Sequence, residues 1–176
     1  MSTSTRVDDV STLLRVSHFA SLAHQHQRRK SPSSPAYIQH PLDVARRIAN
    51  PPSSLASREG GAPIQVLLLE CSDDKTLGKM ERKQAQIDHA KDKSDFAKHV
   101  KLADKLSNLN DLISLEGRPA GWSVERIQEY FVWSKKVTDQ CVSVNPGLGQ
   151  ELDKLYREAT FEVKGKQYKC HPTYQG

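Results

Sequence analysis

A long stripe of apolar side chains constrains this chain more than any other feature of its sequence. Between Ser94 and Leu115 apolar residues recur every three or four positions, which is the spacing of one helix face. The members of the stripe are Phe96, Val100, Ala103, Leu106, Leu109 and Ile113. The pattern predicts a long amphipathic helix that ends at the glycine- and proline-containing segment 117–121.

The rest of the chain also favours helices over strands. No segment alternates apolar and polar residues over a long stretch, so the sequence predicts an all-α fold with about six helices. The short run Ile64–Glu70 fits either a strand or a helix, and its helical neighbours favour a helix. The other predicted helices are Asp9–Gln27, Pro41–Asn50, Lys79–Lys91, Ser123–Val137 with Ser123 as N-cap, and Leu148–Ala159.

The length of 176 residues suits one domain with its own core. We expect this domain to span residues 1–159. It is interrupted at 50–61 by a Pro- and Ser-rich junction with the composition of a linker. Residues 160–176 contain two glycines and a proline, and they are predicted to form a peripheral or disordered tail.

The composition limits where the protein is expected to reside and which kinds of partner it is expected to bind. The chain has no apolar run near the ~20 residues that a membrane helix needs, and its N-terminus has no apolar signal core. Three widely spaced cysteines without a CxxC pair indicate free thiols in a reduced cytosolic or nuclear protein, and we expect a cytoplasmic location. The net charge of +5 suits a small polyanionic ligand. A nucleic-acid partner is disfavoured because the basic residues neither line one helix face nor alternate with aromatic residues.

Two segments carry candidate chemistry. His40 follows Tyr37-Ile38-Gln39 and precedes Pro41, where a stiff turn can present one imidazole nitrogen to a metal. In the predicted long helix, Lys101, Asp104 and Asn108 share one face at the edge of the apolar stripe. Plainer interpretations stay open, namely a surface or capping histidine and an ion pair between Asp104 and a lysine on a solvated face.

A third segment, 72–83, is rich in both charges. Its basic residues could meet phosphate groups, and its Asp73-Asp74 pair could cap a helix or assist a metal. A charged surface loop is the plainer interpretation. The basic residues are Lys75, Lys79, Arg82 and Lys83.

These motifs occur in one order that resembles a known family. The order is Arg28-Arg29-Lys30, Tyr37-Ile38-Gln39-His40-Pro41, Asp73-Asp74-Lys75-Thr76-Leu77, Lys101-Leu102-Ala103-Asp104-Lys105-Leu106, Gly121-Trp122-Ser123 and Gln128-Glu129-Tyr130-Phe131. The chain is similar over about 13–137 to the metazoan SpoT homologues, which are HD-domain phosphohydrolases of the RelA/SpoT group.

The resemblance implies a helical HD fold that holds one manganese ion. It implies removal of the 3′-pyrophosphate from the nucleotide ppGpp in a starvation response, or dephosphorylation of NADPH, and a possible homodimer. His40 and Asp104 match two of the family's metal ligands. The residues expected to bind the nucleotide are Arg29, Lys30, Tyr37, Lys75, Asn108 and Tyr130.

The chain departs from the family at the junction. The family's other metal ligands are an adjacent His-Asp pair, and a following Glu-Asp pair serves the attacking water; this sequence contains neither doublet. About one to two central helices are therefore missing from the predicted bundle. We expect weak metal binding, impaired catalysis, and exposed apolar faces on the first and the longest helix. The alternative is a non-catalytic nucleotide-binding or dimerising variant. The remaining candidates to replace the ligands are His24, His26, Asp73 and Asp74.

Overall fold

The computed structural model describes residues 16–48 and 74–174, and within these ranges the chain is mostly helical. Residues 16–23 form α1. The later elements are α2 (Gln39–Ile48), α3 (Lys79–Asp88), α4 (Asp95–Ile113), α5 (Val124–Thr138), α6 (Pro146–Glu158), β1 (Thr160–Val163) and β2 (Lys166–Lys169), with short 3-10 helices at Ala90–Asp92 and Val142–Val144. The predicted helical bundle is confirmed. The predictions for 50–61 and 64–70 fall outside the described residues.

Side-chain caps set the starts of the later helices. The hydroxyl of Ser94 accepts a hydrogen bond from the amide of Ala97, and Ser123 caps α5 in the same way, as predicted. Asn145 caps α6, so that Pro146 takes the first helical position, where its missing N–H costs nothing. This cap explains why α6 begins two residues before the predicted Leu148.

Helix α4 is the central element. It contacts α2, α5, α6 and β1, so it is enclosed on several sides rather than on one face. The middle of the predicted stripe is buried and its ends are half-buried; the buried members are Ala103, Leu106 and Leu109, and the half-buried ones are Phe96, Val100 and Ile113. Leu102 and Leu112, outside the predicted stripe, are buried as well.

The core lies mainly between α4, α5, α6 and the hairpin. On α5, Ile127, Phe131, Ser134 and Val137 face this core and are all buried. Leu152 and Tyr156 of α6 are also buried, and the Tyr156 ring meets that of Phe131 edge to face.

The C-terminal segment differs from the peripheral or disordered tail that we expected. Strands β1 and β2 pair antiparallel through a two-residue turn, in which Lys164 and Gly165 both have positive φ. Such turns match the twist of a hairpin, and glycine adopts them without strain. Phe161 and Cys170 are buried, so the segment completes the core.

The N-terminal helices expose apolar side chains. Phe19 is 70% exposed, Leu22 52% and Leu42 50%. The expectation of exposed apolar faces therefore holds for α1 and is wrong for α4, which α5, α6 and the hairpin cover. No helix within the described ranges is long and apolar enough to cross a membrane, and the cytoplasmic location stays a prediction.

Candidate functional site

The candidate site forms where the start of α2 meets the middle of α4. Nε2 of His40 lies 2.8 Å from Oδ1 of Asp104, although 64 residues separate the two along the chain. The segment before α2 is folded back on itself, because the amide of Arg29 donates to the carbonyl of Pro35 and that of Tyr37 to Gln27. This folded segment places His40 in the first turn of α2.

Asp104 is surrounded by hydrogen-bond donors. Its Oδ1 also accepts from Nδ2 of Asn108 at 3.1 Å, and its Oδ2 accepts from Nζ of Lys105 at 2.9 Å. Burial alone would raise the pKa of Asp104, but the charge of Lys105 and the hydrogen bonds from His40 and Lys105 outweigh it and hold the pKa below its ordinary value. The carboxylate is therefore ionised at neutral pH. The ion pair is not on a solvated face, because Lys105 is buried.

The pair lies in a cleft of about 340 Å³. The cleft contains seven of the eight predicted site residues: Arg29, Lys30, Tyr37, His40, Asp104, Asn108 and Tyr130. The exception is Lys75, which is exposed in the turn before α3 and does not line this cleft. The sequence analysis expected Lys75 to contact phosphate groups because it lies in a charged segment. In the structure, its side chain is exposed to solvent in the turn.

Asp111 is a cleft residue that the sequence analysis missed. Its carboxylate forms an ion pair with Arg29 across the cleft. Burial raises the pKa of Asp111 despite the nearby Arg29. The sequence did contain a signal for Asp111: it follows Asp104 by seven residues and so lies on the same helix face.

Aromatic rings supply the apolar part of the cleft. Tyr37 packs between the rings of His24 and His40, with centroid distances of 5.1 and 5.8 Å. On the α5 side, the ring centres of Trp122 and Tyr130 are 5.8 Å apart. Burial raises the pKa of Tyr130, so its phenol is neutral at physiological pH. Cations and aromatic faces together suit a ligand with both anionic and planar parts.

The described residues do not fit a complete metal site. A catalytic metal generally has at least three protein ligands, whereas His40 and Asp104 provide two. Within 16–48 and 74–174 no three His, Cys, Asp or Glu side chains form a group that could hold a metal ion. The suggested replacements within the described residues do not complete it: Nδ1 of His24 pairs with Gln27, Asp74 binds Thr76, and His26 is exposed outside the cleft. Asp73 is outside the described residues.

The relatives found by comparison with known proteins point to one family. No family model matches the sequence. The guanosine-3′,5′-bis(diphosphate) 3′-pyrophosphohydrolase MESH1 of Xenopus tropicalis is 38% identical, over 88% of this chain and 98% of that protein. The human protein of the same name is 36% identical, over 88% and 98%.

A solved structure agrees with these relatives. It is described as a metazoan ortholog of SpoT that hydrolyses ppGpp and plays a role in starvation responses. It superposes with a TM-score of 0.69 at 32% identity, over 80% of this chain and 91% of that one.

Proposed function

The chain belongs to the metazoan SpoT-homologue family of guanosine-3′,5′-bis(diphosphate) 3′-pyrophosphohydrolases, and from this premise we propose that its cleft binds that nucleotide but hydrolyses it poorly. Its relatives are named for this hydrolysis, and HD-type members of the family are generally metal-dependent. Recognition and turnover rest on different side chains in this chain, so they can be separated.

One observation carries the recognition half of the proposal. Three successive basic residues, Arg28, Arg29 and Lys30, line the same cleft as Tyr37 and Tyr130. Guanidinium and ammonium groups bind phosphate oxygens, and aromatic faces stack on bases. The cleft thus offers partners for both the diphosphate groups and the guanine of the nucleotide.

The hydrolytic half is limited by the two-ligand metal site. Manganese, the metal that the family resemblance suggests, prefers about six mostly oxygen donors. Two side chains with water would hold it weakly, and a weakly held metal does not supply an activated water. The absent Glu-Asp pair removes the positioned base as well.

Calorimetric titration of the purified full chain with ppGpp, paired with a pyrophosphate-release assay, tests both halves. We expect binding that persists in the presence of a chelator, and no release of pyrophosphate above the buffer rate when manganese is added. Absence of binding overturns recognition. Repeated manganese-dependent turnover overturns impairment and shows that residues outside the described ranges complete the site.

A matched pair of lysine variants controls for net charge. Lys30→Ala removes a cleft cation, while Lys154→Ala removes an exposed cation of α6 outside the cleft. We expect Lys30→Ala to weaken ppGpp binding by roughly tenfold, which is the loss of one charge-assisted contact. Lys154→Ala should leave the affinity unchanged, and equal losses in both variants would indicate non-specific charge attraction.

The family resemblance also suggests NADPH as a substrate and a homodimer, and both stay proposals. NADPH is tested in the same titration, where competition with ppGpp would indicate a shared cleft. The dimer is tested by sedimentation with and without the nucleotide.

A further inference from the structure

The guanidinium of Arg118 joins the end of α4 to strand β1 through three backbone carbonyls. Its Nε donates to the carbonyl of Leu112 at 2.9 Å and its Nη2 to that of Ile113 at 3.2 Å. These carbonyls lie in the last turn of α4, where helix carbonyls lack intrahelical partners. Its Nη1 donates to the carbonyl of Glu162 in β1 at 2.7 Å, and the guanidinium stacks over the Phe161 ring at 5.1 Å.

Arg118 belongs to the segment 114–122, which forms one wall of the cleft. Gly117, Pro119 and Trp122 of this segment line the cleft directly. Gly117 packs so closely on α4 that a Cβ atom there would come within 2.8 Å of the backbone of Asp111. The amide of Ala120 donates to the carbonyl of Lys30 at 3.3 Å, which ties the wall to the basic rim opposite.

We propose that Arg118 is a positioning residue that couples the C-terminal hairpin to the nucleotide cleft; the affinity part of this inference rests on the proposed binding function. Arg118 itself does not line the cleft. It holds the 114–122 wall in place. This wall includes Trp122, and the amide of Ala120 in it donates to the carbonyl of Lys30. If the wall is already ordered in the free protein, binding does not have to order it, and the affinity for the nucleotide is higher.

The planar fork of arginine is what the three carbonyls require. A lysine in its place is a single point donor, and it cannot reach acceptors on α4 and β1 in the arrangement of a guanidinium. Arg118→Lys should therefore retain only part of the coupling, and Arg118→Gln should lose nearly all of it.

Hydrogen exchange in the nucleotide-free full chain tests the positioning directly. In Arg118→Gln the amides of 117–122 should exchange several-fold faster than in the wild type, while those in the middle of α5 keep their protection. The comparison variant is Gln128→Ala, which removes the hydrogen bond from Gln128 to the carbonyl of Lys169 in β2. It loosens the hairpin at another point and should leave 117–122 unchanged.

The affinity for ppGpp tests the coupling. Arg118→Gln should weaken binding about tenfold, Arg118→Lys by less, and Gln128→Ala by no more than about twofold. A variant that merely loses stability would show a lower melting temperature with wild-type affinity well below that temperature. If Arg118→Gln does not fold, Arg118→Lys provides the same comparison.

The outcomes separate the two proposals. Wild-type exchange rates at 117–122 in the Arg118 variants overturn the positioning role, whatever the nucleotide does. Faster exchange with unchanged ppGpp affinity overturns the coupling. Failure of the wild type itself to bind ppGpp overturns the proposed function, while the exchange measurement still decides whether Arg118 positions the wall.

Discussion

The N-terminal region 24–48, which includes α2, and the C-terminal elements α5, α6 and β1–β2 are attached to α4 in different ways. In the C-terminal region, side chains such as Phe131, Leu152 and Phe161 are almost fully enclosed. In α1 and α2, Val44 is the buried apolar residue among those described, and Phe19 and Leu42 are largely exposed. The N-terminal segment is instead held to α4 through polar pairs that include His40–Asp104 and Arg29–Asp111.

This difference in contacts implies that the two regions contribute differently to the stability of the fold. Burial of a large apolar side chain contributes about 1.5–3 kcal/mol, whereas a hydrogen bond contributes about 1 kcal/mol net. We therefore infer that the C-terminal region sustains the fold and that the region carrying Arg29, Tyr37 and His40 opens first. Three of the side chains expected to bind the nucleotide, Arg29, Lys30 and Tyr37, lie in this less stable region, whereas Tyr130 lies on α5.

The largest effect is expected in the C-terminal core. Phe131→Ala removes a fully buried ring between α5 and α6, and it should lower the free energy of unfolding by about 3–5 kcal/mol. Urea denaturation followed by circular dichroism measures this. A loss below about 1 kcal/mol would mean that this core does not sustain the fold.

A smaller effect is expected at the polar attachment. Asp104→Asn removes the charge that faces Lys105, and we expect a loss of about 2 kcal/mol because Asp104 is 30% exposed rather than fully enclosed. The matched control is Asp139→Asn, which breaks the exposed Lys135–Asp139 pair and should cost about 0.5 kcal/mol or less. Equal losses would remove the distinction between the two pairs.

The pH dependence of the same variant gives a second check. The pKa of Asp104 is lowered in the folded state, so its stabilisation is present above the unfolded value near 4 and is lost as the pH falls through the folded value. The stability difference between wild type and Asp104→Asn should therefore shrink below about pH 4. A difference that persists unchanged into strong acid would contradict this assignment.

The C-terminal core should respond to alkali instead. Burial raises the pKa of Cys170 to about 12, from an ordinary value of 9.0. The folded chain keeps the thiol proton that the unfolded chain loses, so stability falls as the pH rises from about 9 towards 12. At pH 10 the thiol should account for about 1 kcal/mol of this loss. Denaturation of Cys170→Ala under reducing conditions should show a shallower alkaline slope than the wild type.

The smallest effect is expected on the exposed N-terminal face. Phe19→Ser replaces a ring that is 70% exposed, so the free energy of unfolding should change by no more than about 0.5 kcal/mol. Removal of this ring should leave the free energy of unfolding nearly unchanged, whereas removal of the Phe131 ring should lower it strongly. A loss of about 2 kcal/mol would show that another part of the chain covers Phe19 in solution.

Prediction from the sequence succeeded where the signal was local. The helical periodicity of α4 and α5 and the cap at Ser123 follow from neighbouring residues, so their helices were predicted within a few residues. The hairpin at 160–169 was missed because four-residue strands leave little alternation to detect. Its burial depends on α4 and Arg118, which are distant in the sequence.

The candidate site shows the same limit. Seven of the eight residues that motif order predicted line the cleft, because each motif lies at an element boundary or on one helix face. Lys75 lies outside the cleft and Asp111 was missed, since membership of a cleft depends on which elements pack together. The lysine follows a familiar motif but faces solvent, whereas the aspartate meets Arg29 from 82 residues away.

The sequence by itself determined the helical character of the chain, its family and the absence of the His-Asp and Glu-Asp doublets, because these are properties of residue type and short-range order. The tertiary structure alone decided that Asp104 meets His40, Lys105 and Asn108, that Arg29 pairs with Asp111, and that the C-terminal segment completes the core. These outcomes depend on burial, which arises only when distant elements pack against α4 and exclude water from the groups between them.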